Sequence, residues 1–273
     1  MRARPGARLR AGQPPVPGRL LSGPALRARG LVKRFAGRTI LARVDLDVAP
    51  GETVVLLGRS GTGKSVFLKT VIGLVQADEG TLSLFGEDMS RAGEAAWNHA
   101  RRDLAMVFQG AALFDSMTVG DNVALGLRHQ RRRGEAEIVA TVERCLAVVG
   151  LSGTAGLKPA SLSGGMRKRV GIARAIALEP RLLLYDEPTS GLDPVTSDVI
   201  NRLIRRAQKE LGAAAIVVTH DMTSARFIGD RIALLHQGRI VFDGTPAEID
   251  RATDPVVRQF VEGRSDESLV GGQ

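Results

Sequence analysis

Gly58-Arg-Ser-Gly-Thr-Gly-Lys-Ser65 lies between a short apolar run, residues 52–57, and a segment with helical spacing, residues 65–74. The nearly continuous, β-branched apolar run predicts a strand that is buried on both faces, as in a parallel sheet. A strand, a glycine-rich loop and a helix in this order are the context that the pattern G-x-x-x-x-G-K-[ST] requires. The stretch therefore predicts an α/β fold with a phosphate-binding loop.

The glycines and the two residues after them each have a physical reason for their positions. Glycines let several backbone N–H groups converge on one anion, and the next helix adds its positive N-terminal end. Lys64 supplies a charge to the β- and γ-phosphates, and Ser65 supplies an oxygen to Mg²⁺. The alternative is a chance glycine-rich turn, which the flanking strand and helix disfavour. The residues expected to contact a bound nucleotide here are Gly58, Arg59, Ser60, Gly61, Thr62, Gly63, Lys64, Ser65 and Val66.

Polar residues follow two further apolar runs, at the points where strands of a parallel sheet would end. Asp186 and Glu187 follow the run at residues 182–185, and His220 follows the run at residues 215–219. Open α/β sheets place their ligands at such strand ends. Asp186 is suited to hold Mg²⁺, and Glu187 would point toward the water that attacks the γ-phosphate. The alternative is that the two acids only mark a solvated strand end.

Composition limits the class of protein. Hydrophobic residues make up 44% of the 273 residues and charged residues 25%, as in ordinary globular proteins. No apolar run approaches the roughly 18 residues that cross a bilayer, so an integral membrane protein is not expected. One cysteine, Cys145, excludes an internal disulfide framework.

The net charge of +9 comes from the N-terminal part of the chain. Residues 1–43 contain eleven of the 38 Lys and Arg and no Asp or Glu, which leaves 27 basic residues against 29 acidic ones. A protein that follows a phosphate backbone carries a basic face on its fold, so we expect no nucleic-acid partner. Residues 1–24, rich in Arg, Pro, Gly and Ala, predict a disordered basic leader. A transit peptide is the alternative, which the single serine, Ser22, disfavours.

Leu162-Ser-Gly-Gly-Met166 precedes a helical pattern and forms a second candidate anion-binding helix start. A second phosphate site in one chain makes sense if it binds the nucleotide that another copy holds. The alternative is a plain serine N-cap followed by glycines. The motif resembles the signature sequence of ABC-transporter ATPases, usually Leu-Ser-Gly-Gly-Gln, with Met166 in place of the glutamine.

The resemblance covers nearly everything except the two ends of the chain, and it implies a fold. The implied class is α/β: a RecA-like P-loop NTPase core with an antiparallel β subdomain and an inserted α-helical subdomain. Residues 25–247 would form the ATPase cassette, with the helical subdomain at approximately 91–177. Residues 248–273 would form a C-terminal tail.

The resemblance also implies roles for single residues. Gln109 would contact Mg²⁺ or the attacking water, and Asp193 would lie in a loop that crosses the seam of a head-to-tail homodimer. His220 would contact the γ-phosphate, and Phe35 would stack on adenine, with a core position as the alternative for Phe35. The implied catalytic residues are Lys64, Gln109, Glu187 and His220. The implied Mg²⁺ ligands are Ser65, Gln109 and Asp186, and the implied ligands of the partner's ATP are Ser163, Gly164 and Gly165.

Four longer strings resemble the ATPases of Mla/Mce-type lipid transporters: Gly61-Thr-Gly-Lys-Ser-Val66, Phe108-Gln-Gly-Ala-Ala-Leu-Phe-Asp-Ser-Met-Thr-Val119, Leu162-Ser-Gly-Gly-Met166 and Asp254-Pro-Val-Val-Arg-Gln-Phe260. Such systems move phospholipids between envelope membranes. They pair the ATPase dimer with an integral-membrane permease and an MCE-domain protein, often with a STAS-domain protein. The implied location is the cytoplasmic face of the inner membrane, as a peripheral subunit. The alternatives are another ABC importer, or a soluble ABC ATPase acting on ribosomes or DNA, which usually carries two cassettes or a coiled-coil insertion.

Overall fold

The computed structural model describes residues 23–130 and 133–264. The predicted disordered leader, residues 1–24, lies outside these ranges except for its last two residues. The strands of the described chain are β1 (Leu26–Phe35), β2 (Arg38–Val48), β3 (Thr53–Leu57), β4 (Glu79–Leu84), β5 (Glu87–Asp88), β6 (Leu104–Val107), β7 (Leu182–Asp186), β8 (Ala214–Thr219), β9 (Arg231–His236) and β10 (Arg239–Gly244). The helices are α1 (Lys64–Val71), α2 (Glu94–Ala100), α3 (Val119–Gln130), α4 (Glu135–Val148), α5 (Gly164–Ala177), α6 (Pro194–Leu211), α7 (Met222–Ile228), α8 (Pro246–Arg251) and α9 (Pro255–Val261). None of these described helices is both long and apolar enough to cross a membrane.

Six strands form the central sheet in the order β10-β9-β3-β8-β7-β6. The strands from β9 to β6 pair in parallel, and β10 adds an antiparallel edge. β3 is buried along its whole length, which confirms the strand covered on both faces that its apolar run predicted. Val54 and Leu56 point into one hydrophobic cluster, and Val55 and Leu57 point into the other.

A second sheet of four antiparallel strands has the order β2-β1-β4-β5. Its apolar residues, among them Leu26, Leu31 and Leu46, pack with α1 and with one face of the central sheet. α5, α6 and α7 cover the opposite face. This layering puts the carboxyl ends of the parallel strands β3, β7 and β8 at one edge. There the glycine-rich loop follows β3, His220 follows β8, and Asp186 is the last residue of β7.

The range predicted for the helical subdomain, residues 91–177, also contains a strand of the central sheet. β6 lies inside that range, yet it pairs in parallel with β7 as the edge strand of the central sheet. A run of four apolar residues fits a helix as well as a strand in sequence, so only the pairing with β7 assigns it. α3, α4 and α5 then pack together around a shared apolar cluster, and α5 returns the chain to β7.

The predicted C-terminal tail, residues 248–273, begins inside the folded unit. Ile249 of α8 and Val257 of α9 are buried in the same cluster as the central sheet. The side chain of Asp254 accepts hydrogen bonds from two backbone N–H groups in the first turn of α9, which fixes where that helix begins. The packed structure therefore continues past the predicted boundary at residue 248 as far as α9.

Candidate nucleotide site at the strand ends

The phosphate loop joins β3 to α1 and depends on two of its glycines. Gly63 has a φ of 104°, and a Cβ there would lie 2.9 Å from the carbonyl oxygen of Ile40. A Cβ on Gly58 would lie 2.6 Å from the carbonyl oxygen of Leu235. Both positions therefore exclude larger residues. No side chain in the described part of the chain caps α1, so its first backbone N–H groups are available to an anion.

Lys64 is nearly buried at this loop, with 6% of its side chain exposed. Its Nζ donates hydrogen bonds to the carbonyl oxygens of Gly58 (2.8 Å) and Arg59 (3.0 Å) and lies 3.5 Å from Glu187 Oε1. Burial lowers the pKa of Lys64, while the attraction of Glu187 opposes that shift. The ammonium is thus held where the dielectric is low and where a phosphate interacts with it more strongly than in water.

Ser65 and Asp186 bring two oxygen ligands together. Ser65, in the first turn of α1, donates its hydroxyl to Oδ1 of Asp186 at 2.9 Å, and Asp186 ends β7. Burial raises the pKa of Asp186, and the hydrogen bond from Ser65 opposes that shift. Residues 23–130 and 133–264 contain no group of three or more His, Cys, Asp or Glu that could hold a metal ion. The hydroxyl of Ser65 and the carboxylate of Asp186 are oxygen groups of the kind that Mg²⁺ prefers, and their role as its ligands stays a prediction.

Glu187 is adjacent to Asp186 but contacts different neighbours. Its φ of 48° lies in the left-handed region, and its N–H donates to the carbonyl oxygen of Val218 at 2.9 Å. Its Oε2 lies 2.9 Å from Nδ1 of His220, while Oε1 faces Lys64. The neighbouring strands β7 and β8 therefore deliver a carboxylate and an imidazole to one point. The His220 side chain is 54% exposed, so this point is accessible to a ligand.

Gln109 follows β6 and makes its hydrogen bond with another loop. Its Nε2 donates to Oγ of Ser190 at 3.3 Å. Ala111 and Ala112 have φ values of 61° and 47°, and the guanidinium of Arg174 on α5 donates to both of their carbonyl oxygens at 2.7 Å. α5 therefore holds the segment that follows Gln109. Contact of Gln109 with Mg²⁺ or with the attacking water stays a prediction.

Comparison with known proteins decides the family. The ABC transporter family model matches residues 41–190, more than half of the chain. The chain belongs to the ABC transporter family, as an ATP-binding subunit. It is 40% identical over 247 residues to the probable ribonucleotide transport ATP-binding protein mkl of Mycobacterium leprae, which covers 90% of this chain and 71% of that protein. It is 42% identical to the sulfate/thiosulfate import ATP-binding protein CysA of Mycolicibacterium paratuberculosis, over 87% of this chain and 64% of that protein.

Solved ABC cassettes share the fold of this ABC subunit. A dimeric ATP-binding cassette in a post-hydrolysis state, bound to ADP and Pi, aligns with a TM-score of 0.75 and 32% identity over 81% of this chain and 98% of that one. The cbiO1 protein of Clostridium perfringens, part of the ABC transporter complex cbiONQ, aligns with a TM-score of 0.78 and 27% identity over 88% of this chain and 96% of that one. These alignments confirm the predicted fold class.

Three other predicted ATP ligands of the ABC subunit lie outside the phosphate loop, and their side chains contact neighbours in the same chain. Ser163 is exposed and caps α5 by accepting a backbone N–H of the first turn at 3.2 Å. Asp193 caps α6 and accepts from the N–H and the hydroxyl of Thr196 at 2.9 and 2.6 Å. Phe35 is 46% exposed, with the ammonium of Lys33 5.2 Å from its ring. Their roles in binding ATP stay predictions.

Sequence reasoning missed a link between Lys168 and Ser190. Nζ of Lys168, on α5, donates to the carbonyl oxygen of Ser190 at 2.6 Å and to that of Glu187 at 3.4 Å. Burial lowers the pKa of Lys168, and the charge of Glu187 opposes the shift. The hydroxyl of Ser190 extends the link to Gln109. The sequence indicated that Ser190 begins a functional loop that ends at Asp193. It did not indicate the contact with Lys168, because no spacing rule predicts which carbonyl oxygen a lysine on a helix contacts.

Proposed function

We propose that the chain hydrolyses ATP as the nucleotide-binding subunit of an ABC transporter, and that this transporter moves phospholipid in an Mla/Mce-type system. One observation carries the hydrolytic part. The carboxylate of Glu187 contacts both Lys64 and His220 at the edge where Ser65 meets Asp186. A base, a cation for the phosphates and a pair of metal ligands are the parts that phosphoryl transfer to water requires.

The ion pair between Lys64 and Glu187 gives the substrate a way to activate the site. A phosphate group bound at Lys64 would compete with Glu187 for the ammonium. The released Oε1 would then accept a proton from a water aligned with the γ-phosphate, as a general base does. His220, at Oε2, would keep the carboxylate oriented. Lys64 and the N-terminal end of α1 would stabilise the charge that develops on the phosphoryl oxygens.

Ser65 and Asp186 would hold Mg²⁺, with Gln109 as the third proposed ligand. When bound, the ion would supply positive charge that neutralises part of the charge on the phosphate oxygens. Burial of Asp186 strengthens its attraction for a divalent cation, because the local dielectric is low. Gln109 uses Nε2 for Ser190, which leaves Oε1 as its atom for a metal or a water.

We propose a head-to-tail homodimer with two composite ATP sites. The phosphate loop of one copy would face Ser163, Gly164 and Gly165 of the other. The exposure of Ser163 and Gly164 supports this arrangement, because the backbone N–H groups at a helix start can bind an anion; Gly165, behind them, is buried. The dimeric cassette with ADP and Pi among the structural relatives also supports it. Asp193 would lie at the seam, and the ring of Phe35 would stack on adenine.

The lipid assignment rests on sequence strings, not on the ATP site. Met166 and residues 254–260 resemble Mla/Mce-type ATPases, and the second of these strings forms α9, which Val257 anchors in the core. The relatives carry names with other cargoes: ribonucleotide transport for mkl, and sulfate and thiosulfate import for CysA. Since the two are about equally similar to this chain, an ABC importer of a small solute is the second candidate.

The proposed partners are ATP, an integral-membrane permease, an MCE-domain protein and a STAS-domain protein, at the cytoplasmic face of the inner membrane. The permease contact would include Phe114, whose side chain is half exposed. Phe114 follows the two alanines that Arg174 holds, and its N–H donates to Oδ1 of Asn122 at 2.7 Å. A fixed backbone that presents an aromatic ring is a suitable anchor for a partner protein.

Two measurements test the proposal. The purified chain, alone or with its copurified partners, should hydrolyse ATP in a Mg²⁺-dependent reaction, and a lack of hydrolysis would contradict the enzymatic part. The tagged chain, purified in mild detergent from its native membrane, should bring a permease and an MCE-domain protein. A permease with a small-solute-binding protein would favour the second candidate. Ribosomal or DNA-repair proteins without a permease would overturn transport.

A further inference from the structure

We propose that Lys168 is a positioning residue that ties the catalytic turn, residues 187–190, to α5. Through this tie, nucleotide bound at Ser163 of one chain would affect Glu187 of the same chain. The inference rests on the proposed hydrolysis of ATP by a head-to-tail dimer. It adds a residue that connects the two composite sites within one chain.

Lys168 holds both ends of the catalytic turn. Its Nζ donates to the carbonyl oxygens of Ser190 and Glu187, and the N–H of Ser190 itself donates to the carbonyl oxygen of Glu187 at 3.2 Å. Glu187 has a left-handed backbone, which persists only where the surroundings fix it. The ammonium of Lys168 and the carbonyl oxygen of Val218 supply two of the bonds that do so.

The contact is stronger than an ordinary surface hydrogen bond. Lys168 is half buried, and an ammonium that donates to a carbonyl oxygen forms a charge-assisted bond. Loss of the ammonium would leave two carbonyl groups of the catalytic turn without this donor. We therefore expect the carboxylate of Glu187 to lose orientation, although its own side chain is untouched.

α5 also carries the end that would bind the partner's nucleotide. Ser163 caps this helix five residues before Lys168, a separation of about 7.5 Å along the axis. A helix this short moves as one body, so a shift of its start on phosphate binding also shifts Lys168. Gly165, in the first turn of α5, packs closely against α6. A Cβ added there would lie 2.6 Å from Cγ2 of Thr196, at the start of the helix that follows the catalytic turn.

Three other cations of α5 donate to carbonyl groups in different places. Nη1 of Arg167 donates to the carbonyl oxygen of Leu162 at 2.6 Å, and Arg174 holds the segment after Gln109. Nη1 of Arg169 lies 3.2 Å from the carbonyl oxygen of Val149 and 3.4 Å from that of Gly150. Of these four cations, Lys168 is the one that donates to the catalytic turn. Arg169 therefore provides a matched control, because its removal also frees carbonyl groups held by α5.

The test compares ATP hydrolysis by the full chain with the variants K168M, K168R and R169M. Methionine keeps a long apolar stem without the ammonium, and arginine keeps the charge. We expect K168M to lower kcat about tenfold through misplacement of Glu187. Its Hill coefficient for ATP should fall toward one, while its affinity for ATP, measured by equilibrium binding, stays unchanged. K168R should recover most of kcat, and R169M should keep the wild-type Hill coefficient.

A kcat of K168M within about twofold of wild type, or a K168R variant as defective as K168M, would overturn the inference. A wild-type chain without hydrolysis would overturn the proposed function instead. If K168M unfolds at the assay temperature, hydrogen exchange on the wild-type chain decides. A non-hydrolysable ATP analogue should protect the amides of residues 187–190 and of the first two turns of α5 together. Protection of one segment without the other would contradict the coupling.

Discussion

The cluster around Glu187 and the start of α5 at Ser163 differ in how complete they are within one chain. Glu187 contacts Lys64 and His220, which come from different elements of the fold. Ser163 accepts a hydrogen bond from its own helix and is otherwise exposed. The first region brings a carboxylate, an ammonium and an imidazole together, whereas the second is a helix start whose capping serine is exposed. The difference fits the proposed head-to-tail dimer, in which a second copy would complete the second region.

Glu187→Gln changes the cluster around Glu187 and should have the largest effect on ATP hydrolysis. The amide keeps the size of the side chain but cannot accept a proton from water, so kcat should fall about 100-fold or more. ATP should still bind, because Lys64 and the loop are intact. Steady-state hydrolysis and equilibrium binding measure the two quantities, with E143Q at an exposed position of α4 as the control. Hydrolysis by E187Q at the wild-type rate would assign the base to another group.

Ser163→Ala changes the start of α5 and should have the next largest effect on ATP hydrolysis. Hydrolysis should fall about tenfold, because a donor to the partner's nucleotide is lost. The control is Thr245→Ala, since Thr245 caps α8 as Ser163 caps α5, and either loss costs about 1 kcal/mol of stability. Thermal unfolding should be affected similarly in both variants, and activity in S163A alone. Equal losses of activity in the two variants would indicate that Ser163 acts only as a helix cap.

Phe35→Ala tests whether the adenine end of the site lies on the antiparallel sheet. Loss of the stacking ring should weaken ATP binding about fivefold, and Phe35→Tyr should restore it. Phe227→Ala is the matched control, because that exposed ring also has a cation over it, Arg202 at 5.5 Å. Equilibrium titration with a fluorescent ATP analogue measures the affinity. An unchanged affinity of F35A for ATP would indicate that adenine binds elsewhere.

On the stability of the metal-free chain, Asp186→Asn should have a small effect, and the change should be stabilising. Burial raises the pKa of Asp186 above its ordinary 3.8, so ionisation destabilises the folded, metal-free chain as pH rises past that value. The amide has no such penalty, and the free energy of unfolding should therefore increase at neutral pH. The gain should shrink as pH falls toward 3.8 and disappear well below it, where the carboxyl is protonated in both states. Denaturant titrations in EDTA measure it, and a gain independent of pH would contradict this origin.

The cluster around Glu187 could be predicted from sequence, because its residues lie within or directly after short stretches of consecutive residues that are recognisable as strands. A strand, a glycine loop and Lys64 are consecutive, and a parallel sheet brings Asp186 and Glu187 to the same edge as His220. Lys168 could not be predicted, because its contact with a carbonyl group 22 residues away depends on how a helix packs over a turn. The folded tail was missed for a related reason. Helices as short as α8 and α9 give little periodicity, and their burial depends on the sheet beneath them.

The oligomeric state of the E187Q chain with saturating Mg²⁺ and ATP tests the composite site most directly. ATP should bind this variant without being turned over, so two copies should stay closed on their nucleotides. Light scattering should then show a dimer with ATP and a monomer without it. Adding Ser163→Phe should return the ATP-bound chain to a monomer. An E187Q chain that binds ATP but stays monomeric, or a dimer that persists in the S163F background, would contradict the composite site.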